Sequence, residues 1–486
     1  MSEAALRSSR ERPGDGLREH AQQQCARHPG LSGIHPLNDG LDAFAARYLL
    51  MGMAQHTIDV QYYIWHNDMS GRLLFSALLD AAERGVQVRL LLDDNNTPGL
   101  DETLAELDRH PNIAVRLFNP FSFRTLRALG YLTDFARLNR RMHNKSLTVD
   151  GAVTLVGGRN IGDEYFGTGN EPLFTDLDVL ALGPAVDEVA EDFARYWYSK
   201  AVSPLRSVVD TGAPPHEAVR LPPEWQQSEA VQRYLARLEK SSFVSQLEQG
   251  SLGMTWAHTR LLSDDPRKGL GKAKRSSLLP QRMLEVIGTP QQQFDIISAY
   301  FVPTRAGVAQ LLALKRRGVK IAILTNSLAA NDVTVVHAGY ARWRKKLLRH
   351  GIALYELKPQ ANAADAPHDR GLTGNSGSSL HAKTFTVDNR KVFIGSFNFD
   401  PRSAVLNTEM GLVIESEALA QQTHQRFSSG MRDRAWALRL DKWGRVNWVE
   451  YSGEAREVVH KHEPQCTLLQ RLLVRLVWRL PVEWLL

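Results

Sequence analysis

The sequence predicts an α/β protein of two similar lobes, each a mixed sheet flanked by helices, related by a pseudo-twofold axis with one shared active site. Three observations lead there. A strand–helix–strand unit is written twice along the chain. Each copy closes its helix with the same Arg-Gly-Val phrase. Each copy then delivers a hairpin carrying the same polar residues at the same spacing. At 486 residues the chain exceeds one ordinary domain and suits two.

In chain order, residues 1–33 are polar and are expected to form a disordered tail, without the apolar core of a secretion signal. The first lobe is expected over 34–205. Its apolar run Ile58–Trp65 reads as a strand, Gly71–Arg84 has helical periodicity, and Val86–Asp93 reads as the next strand. Gly85 stands where a helix C-cap needs a glycine. Another helix and a short strand ending near Phe118 follow. Lys145–Val149, Asp150-Gly151 and Ala152–Val156 then read as strand, turn and strand, because Asp-Gly between apolar runs is a strong hairpin signal. Residues 206–250 are polar and Pro-containing and read as a connection, with a helix expected in Trp225–Lys240.

The second lobe, 251–430, repeats the order. Phe294–Phe301, a helix over Pro303–Arg317 closed by Gly318, Val319–Asn326, and a strand ending near Tyr355 lead to Lys383–Val387, a turn at Asp388-Asn389-Arg390, and Lys391–Ile394. Residues 431–486 lie outside the repeat. There Arg471, Arg475 and Arg479 recur every four positions through Thr467–Leu480, with leucines filling the rest of the circumference and Pro481 ending the helix. Five of the ten tryptophans (Trp436, Trp443, Trp448, Trp478 and Trp484) fall in this segment. The expectation is a helix that docks on a bilayer surface, the alternative being one that packs on the second lobe with its arginines in water.

Composition narrows the function. The formal charge of +6 suits an anionic partner such as phospholipid or nucleic acid. The basic residues are dispersed, without the clustering and interleaved aromatics of a nucleic-acid groove, so no nucleic-acid partner is expected. Cys25 and Cys466 stand at opposite ends and form no framework for disulfides or zinc. No run of eighteen apolar residues is present to cross a bilayer, so a lipid substrate has to be reached from the side.

The chemistry is carried by His-x-Lys-x4-Asp-x6-Gly-[Gly/Ser]-x-Asn, present twice: His143, Lys145, Asp150, Gly157-Gly158 and Asn160, then His381, Lys383, Asp388, Gly395-Ser396 and Asn398. Residues two apart on a strand share a face, so each His and Lys point the same way. The returning strand brings a small residue and the Asn opposite them. One triplet lacks a separate nucleophile and acid; two triplets supply both. A neutral imidazole can attack phosphorus and form a phosphohistidine, while a protonated one gives its proton to the leaving alkoxide, with no metal or cofactor required. The lysines and asparagines are expected to stabilise the phosphoryl oxygens. Asp178 is assigned to hold His143 and Glu409 to hold His381 by the second ring nitrogen. Asp150 and Asp388, at the turns, are expected to hold them through bonds to nearby backbone amides. The basic loop Asp264–Arg275 is a candidate for a second phosphate.

This duplicated motif resembles that of the phospholipase D superfamily over nearly the whole chain. Within it, Val60-Gln61-Tyr62-Tyr63-Ile64-Trp65, Leu91-Leu92-Asp93-Asp94, Asn119-Pro120-Phe121, Gly157–Phe166, Ala299–Pro303 and His337-Ala338-Gly339-Tyr340 are similar to bacterial cardiolipin synthases of the type lacking N-terminal membrane helices. The resemblance implies a duplicated α/β fold, a phosphohistidine on His143, and no metal. It implies transfer of a phosphatidyl group from a phospholipid, phosphatidylethanolamine among the candidates, to phosphatidylglycerol at the bacterial cell membrane, with the enzyme bound peripherally. A hydrolytic phospholipase D, and a nuclease or other phosphodiesterase of the superfamily, are the alternatives; an accessory protein is not identified by the sequence. His337 and Tyr340 resemble a family segment near the head-group pocket, the alternative being that they cap and pack a helix, and they are not assigned a catalytic part.

Overall fold

The computed structural model describes residues 16–122, 124, 127–167, 175–209, 219–220, 222–331, 333–359, 380–452 and 456–477. The first lobe holds strands β1 (Ser32–Leu37), β2 (Thr57–Tyr62), β3 (Gln87–Asp93), β4 (Ile113–Phe118), β5 (Ser146–Val149), β6 (Val153–Gly157), β7 (Asp178–Leu182) and β8 (Val202–Pro204). Its helices are α1 (Gly40–Met53), α2 (Met69–Glu83), α3 (Asp101–Arg109), α4 (Arg127–Leu138) and α5 (Pro184–Trp197). The second lobe holds β9 (Thr255–Ser263), β10 (Gln293–Ser298), β11 (Lys320–Asn326), β12 (Ala353–Leu357), β13 (Lys383–Val387), β14 (Lys391–Gly395), β15 (Met410–Glu415), β16 (Ala435–Leu440), β17 (Val446–Ser452) and β18 (Arg456–His460). Its helices are α6 (Arg305–Arg316), α7 (Thr334–Arg349), α8 (Glu417–Arg434) and α9 (Leu468–Val477).

Both lobes order their strands alike. β4, β3 and β2 are parallel, and β5, β6, β7 and β1 continue antiparallel. β12, β11, β10, β13, β14, β15 and β9 repeat the pattern. β1 and β9, equivalent strands, pair with each other antiparallel (Ser32 opposite Ala257), as a twofold junction requires. One apolar cluster crosses that junction, packing Ile34, Val156 and Val179 with Ile394, Met410 and Leu412. The two lobes therefore share core, and their relation is fixed by packing.

The repeat is realised where the sequence places it, with instructive differences at the ends of elements. Gly85 and Gly318 terminate α2 and α6 at φ +99° and +92°, a region costly for a side chain. The hairpin turns put Asp150-Gly151 and Asp388-Asn389 in the left-handed region, the mirror-image turn that matches strand twist. β2 and β10 stop short of the predicted runs, because the chain leaves the sheet to line the site. Ile64 N–H donates to Asn160 Oδ1 and Tyr300 N–H to Asn398 Oδ1.

Two expectations are corrected. The tail is not disordered through residue 33. Residues 1–15 lie outside the described residues, but Leu17–Ala26 form a helix with Leu17 and Ala21 buried, Arg18 donates to Asp150 O, and β1 begins at Ser32. The connection carries its expected helix as Glu229–Glu239, and Val231, Tyr234 and Leu238 of that helix pack into the first lobe's core. Trp436 and Trp448 do not face a bilayer interface: both are buried, and Trp448 Nε1–H donates to Glu356. Trp443 sits on the β16–β17 turn, at the edge opposite the C-terminal ends of the parallel strands. Trp478, Arg479, Pro481 and Trp484 lie outside the described residues.

Candidate active site

His143 and His381 stand just before β5 and β13, beyond the C-terminal ends of β2 and β10. Their backbones cross between lobes. His143 N–H donates to Thr408 O, and His381 N–H donates to Thr175 O, each at 2.9 Å. The side chains cross as well. His143 Nδ1 lies 2.8 Å from Glu409 Oε2 and 3.1 Å from Ser396 O; His381 Nδ1 lies 2.5 Å from Asp176 Oδ2. Each imidazole is thus fixed through Nδ1 by a carboxylate of the other lobe, leaving Nε2 for chemistry.

This corrects the expected partners. Glu409 holds His143, not His381, and Asp178 holds neither. Asp178 is buried between two guanidinium groups, Arg47 at 2.9 Å and Arg159 at 3.4 Å. The reason is sheet register. Gly157 pairs with Asp178 and Gly395 with Gly411, so the counterpart of Glu409 is Asp176. A Cβ at Gly158 would stand 2.2 Å from Asp176 Oδ1, which is why a glycine occupies that position; in the other lobe Ser396 fills it and donates to Glu409. Asp176 was absent from the expected site. The signal for it was the repeated Thr-acid pair, Thr175-Asp176 and Thr408-Glu409, displaced by an insertion after Phe166.

The electrostatics are those of a cationic, buried cleft. Lys145 Nζ donates to His143 O at 2.6 Å, and Lys383 makes the matching bond to His381 O. Burial depresses both ammonium groups, Lys145 well below its ordinary value with Lys383 as the next cause. Burial, then both lysines, holds His143 well below the usual imidazole value. Burial and Lys383 bring His381 to about 4, with Asp176 opposing them. Each histidine responds to the lysines of both lobes, as members of one site do. The carboxylates differ. His381 and the lysine beside it depress Asp176, which overcomes burial, whereas burial pushes Glu409 up to about 7.

Two aromatic rings missed by sequence reasoning wall the imidazoles. Tyr63 stands edge-on to His143 at 4.9 Å, and Tyr165 to His381 at 5.2 Å. Asn160 donates one of its two N–H bonds to Tyr165 Oη at 3.0 Å and accepts Ile64 N–H, so that amide anchors the loops around the site. Asp150 and Asp388 lie at the far ends of their hairpins, outside the site. They act beyond the turns expected for them. Asp150 accepts the N–H groups of Gln55, His56 and Thr57, and Asp388 those of Gln291, Gln292 and Gln293, clamping the approach to β2 and β10.

The basic loop meets the site through Asp264, whose carboxylate accepts Glu409 N–H. Lys268 is buried on Asp264, and Arg267 pairs with Asp265, so these two cations are structural; Lys272, Lys274 and Arg275 are exposed. His337 is buried with Arg344 against Glu463, tying the C-terminal segment to α7. His66, Asp68 and Glu164 also come together, but Asp68 already accepts from Gly71 and Asp163 N–H.

Comparison with known proteins adds the following. The family model described as cardiolipin synthase, PLD-like domain, matches residues 49–197 and 283–431, one span in each lobe. The chain is 66% identical over 463 residues to cardiolipin synthase C of Escherichia coli (strain K12), covering 95% of this chain and 98% of that one. It is 27% identical over 415 residues to cardiolipin synthase A of Pseudomonas entomophila, covering 84% and 71%. The crystal structure of phosphatidylserine synthase from Haemophilus influenzae Rd KW20 has the same fold at 15% identity, with TM-score 0.59 over 97% of this chain and 99% of that one.

Proposed function

The chain belongs to the cardiolipin synthase family of phospholipase D-like proteins, and from that premise we propose that it transfers a phosphatidyl group to phosphatidylglycerol to make cardiolipin. The observation that carries this reading is the crossed pairing of imidazoles and carboxylates. Two Nε2 atoms serve one cleft together with two lysines.

His143 is the nucleophile. Buried and far below its ordinary pKa, it is neutral, and Glu409 fixes its tautomer. Its Nε2 lone pair forms the N–P bond as the bond from phosphorus to the donor's leaving oxygen breaks. His381 gives that oxygen its proton from Nε2. The ionised Asp176 on Nδ1 stabilises the imidazolium form. The phosphate's negative charge offsets the two lysines that depress His381 and so raises that imidazole toward protonation. His381, now neutral, takes the proton of the glycerol hydroxyl of phosphatidylglycerol as that oxygen attacks phosphorus. The N–P bond breaks, His143 is regenerated, and cardiolipin leaves.

The substrates place the enzyme at a bacterial membrane surface. Among the described residues no helix is long and apolar enough to cross a bilayer, which fits peripheral attachment. The test is purified protein with labelled phosphatidylglycerol, with and without phosphatidylethanolamine, analysed by lipid chromatography. Labelled cardiolipin is expected, lost in both His143→Ala and His381→Ala, with the trapped adduct on His143. Phosphatidic acid as sole product would replace transfer by hydrolysis, and an adduct confined to His381 would reverse the roles.

A further inference from the structure

Exposed large apolar side chains cluster on two helices. On α4, which breaks from helical geometry at Asp134, Leu132 is 83% exposed and Leu129 about half exposed before the break, and Phe135 is about half exposed just after it. On α9, Leu468, Leu469, Leu472, Leu473 and Leu476 are all exposed, Leu469 by 76%. Isolated apolar residues on a surface need no explanation, but contiguous apolar faces do.

Both helices are seated at the rim of the active site. The inner side of α4 is fixed: Gly130 packs on Phe121 and Leu138, and Tyr131 Oη–H donates to Asn95 Oδ1 at 2.7 Å. Asn95 and Asn96 follow the C-terminal end of β3, and Tyr63, the ring beside His143, engages Asn96. From α4 to the nucleophile is therefore a short run of direct contacts. α9 is seated on the other lobe. Its buried Val474 packs on Leu328 and Ala338. Leu328 stands two residues past Asn326, whose amide brackets the backbone of Leu380, next to His381. Each apolar face thus has an anchored inner side and an outer side that no part of the described chain covers.

Positive charge accompanies both. Arg475 is exposed on α9. Beside the carboxyl end of α4, the Arg140 guanidinium lies against Gly271, and exposed Lys272, Lys274 and Arg275 follow. Leucine faces rimmed by cations, on either side of a cleft that takes an anionic diester, fit the head-group and upper acyl region of an anionic bilayer.

We propose that α4 and α9 form one two-sided bilayer-docking surface, with α4 holding the His143 rim of the cleft at head-group level. This rests on the phosphatidyl-transfer reading for the location of the substrate. It explains why α4 carries its apolar face outward although its inner side leads, through Asn95 and Asn96, to the ring beside His143. Docking by both helices sets the cleft over the membrane, so a lipid enters by sliding its head group out of the bilayer plane while its acyl chains stay near the leucines.

The test uses the full chain, the paired variants Leu132→Glu with Phe135→Glu and Leu469→Glu with Leu476→Glu, and vesicles of phosphatidylglycerol or of phosphatidylcholine. Flotation, turnover of vesicle lipid, turnover of monomeric short-chain phosphatidylglycerol, and sedimentation are measured. Burying one Leu or Phe is worth about tenfold or more in affinity. Each pair is therefore expected to weaken binding to phosphatidylglycerol vesicles more than tenfold, and turnover of their lipid with it. Monomeric turnover should be unchanged, and wild-type binding should be stronger to phosphatidylglycerol than to phosphatidylcholine. As a check that does not rely on charged substitutions, brominated phosphatidylglycerol should quench the Trp added in Leu132→Trp. Unchanged vesicle binding by the α4 pair, no quenching, or a change in sedimentation in place of vesicle binding (a second copy as occupant) overturns the proposal. If the wild type binds vesicles but turns over neither vesicle nor monomeric lipid, the transfer reading fails while docking stands. If it turns over monomeric lipid while the α4 pair binds vesicles normally, docking alone fails.

Discussion

Replacing Asp176 by Asn removes the carboxylate that faces His381 Nδ1 at 2.5 Å while keeping the size of the side chain and one accepting oxygen. Asp176 is held ionised by His381 and Lys383 against the effect of burial, so a full charge is lost. An imidazolium and a carboxylate about 4 Å apart, centre to centre, attract by about 4 kcal/mol at an effective dielectric constant of about 20. That is worth about a thousandfold in rate when the imidazolium is needed in the transition state, and the retained hydrogen bond returns part of it. The expected loss in kcat is about 10²- to 10³-fold on monomeric short-chain phosphatidylglycerol, an assay independent of membrane binding. Glu409→Gln serves as the internal comparison. Burial brings Glu409 to about 7, and its partner works as a neutral nucleophile, so only about a tenfold loss is expected. Melting curves of both variants establish that the folded enzyme is being compared. An Asp176→Asn enzyme close to wild type, or one less impaired than Glu409→Gln, refutes the assignment of His381 and Asp176 as the acid pair.

Asp150→Ala and Asp388→Ala should destabilise the fold by about 2–3 kcal/mol each, because a charged acceptor of three backbone N–H groups is lost at a strand entrance. Turnover per folded molecule, measured well below the melting temperature, should stay within about threefold of wild type. At pH 7 both imidazoles are neutral in the free enzyme, His143 lying well below its ordinary value and His381 at about 4; a bound anion is expected to raise His381, the proton donor, while His143 stays neutral as the nucleophile. Sulfate binding followed by calorimetry in buffers of different ionisation enthalpy should therefore show uptake of about one proton at pH 7, shrinking as the pH falls toward 4. Uptake near zero at pH 7 contradicts the proton account. Treatment with EDTA should leave transfer essentially intact, since Lys145 and Lys383 meet the phosphate charge; full loss rescued by one divalent cation contradicts it.

Much of this protein was legible from short-range pattern. Helix closure at Gly85 and Gly318 follows from the conformational freedom of glycine, and hairpin turns at Asp150-Gly151 and Asp388-Asn389 follow from the left-handed residues such turns require. Each is decided within a few residues, so each could be read in order along the chain. The duplicated His, Lys and Asn were legible for another reason. Chance does not write one spacing twice, and a site built at a twofold junction needs its chemistry in both copies.

What the sequence could not decide is what depends on how the two copies meet. Asp178 and Asp176 are two residues apart and equally acidic, yet one is buried on Arg47 and Arg159 and the other holds His381 across the lobe boundary. Only the pairing of β6 with β7 and of β14 with β15 separates them, and strand register is a long-range property set by packing. The same holds for Trp436 and Trp448, whose composition suggested an interface and whose place in the second sheet buries them. It holds for α4 too, whose outward apolar face becomes visible only once its inner side is seen to be occupied by Gly130 and Tyr131. From the sequence alone come the two lobes and the repeated His, Lys and Asn proposed to carry the chemistry, because those are matters of local pattern and repetition. The tertiary structure decided which carboxylate serves which imidazole and which apolar faces stay uncovered, because both depend on contacts between segments far apart in the chain.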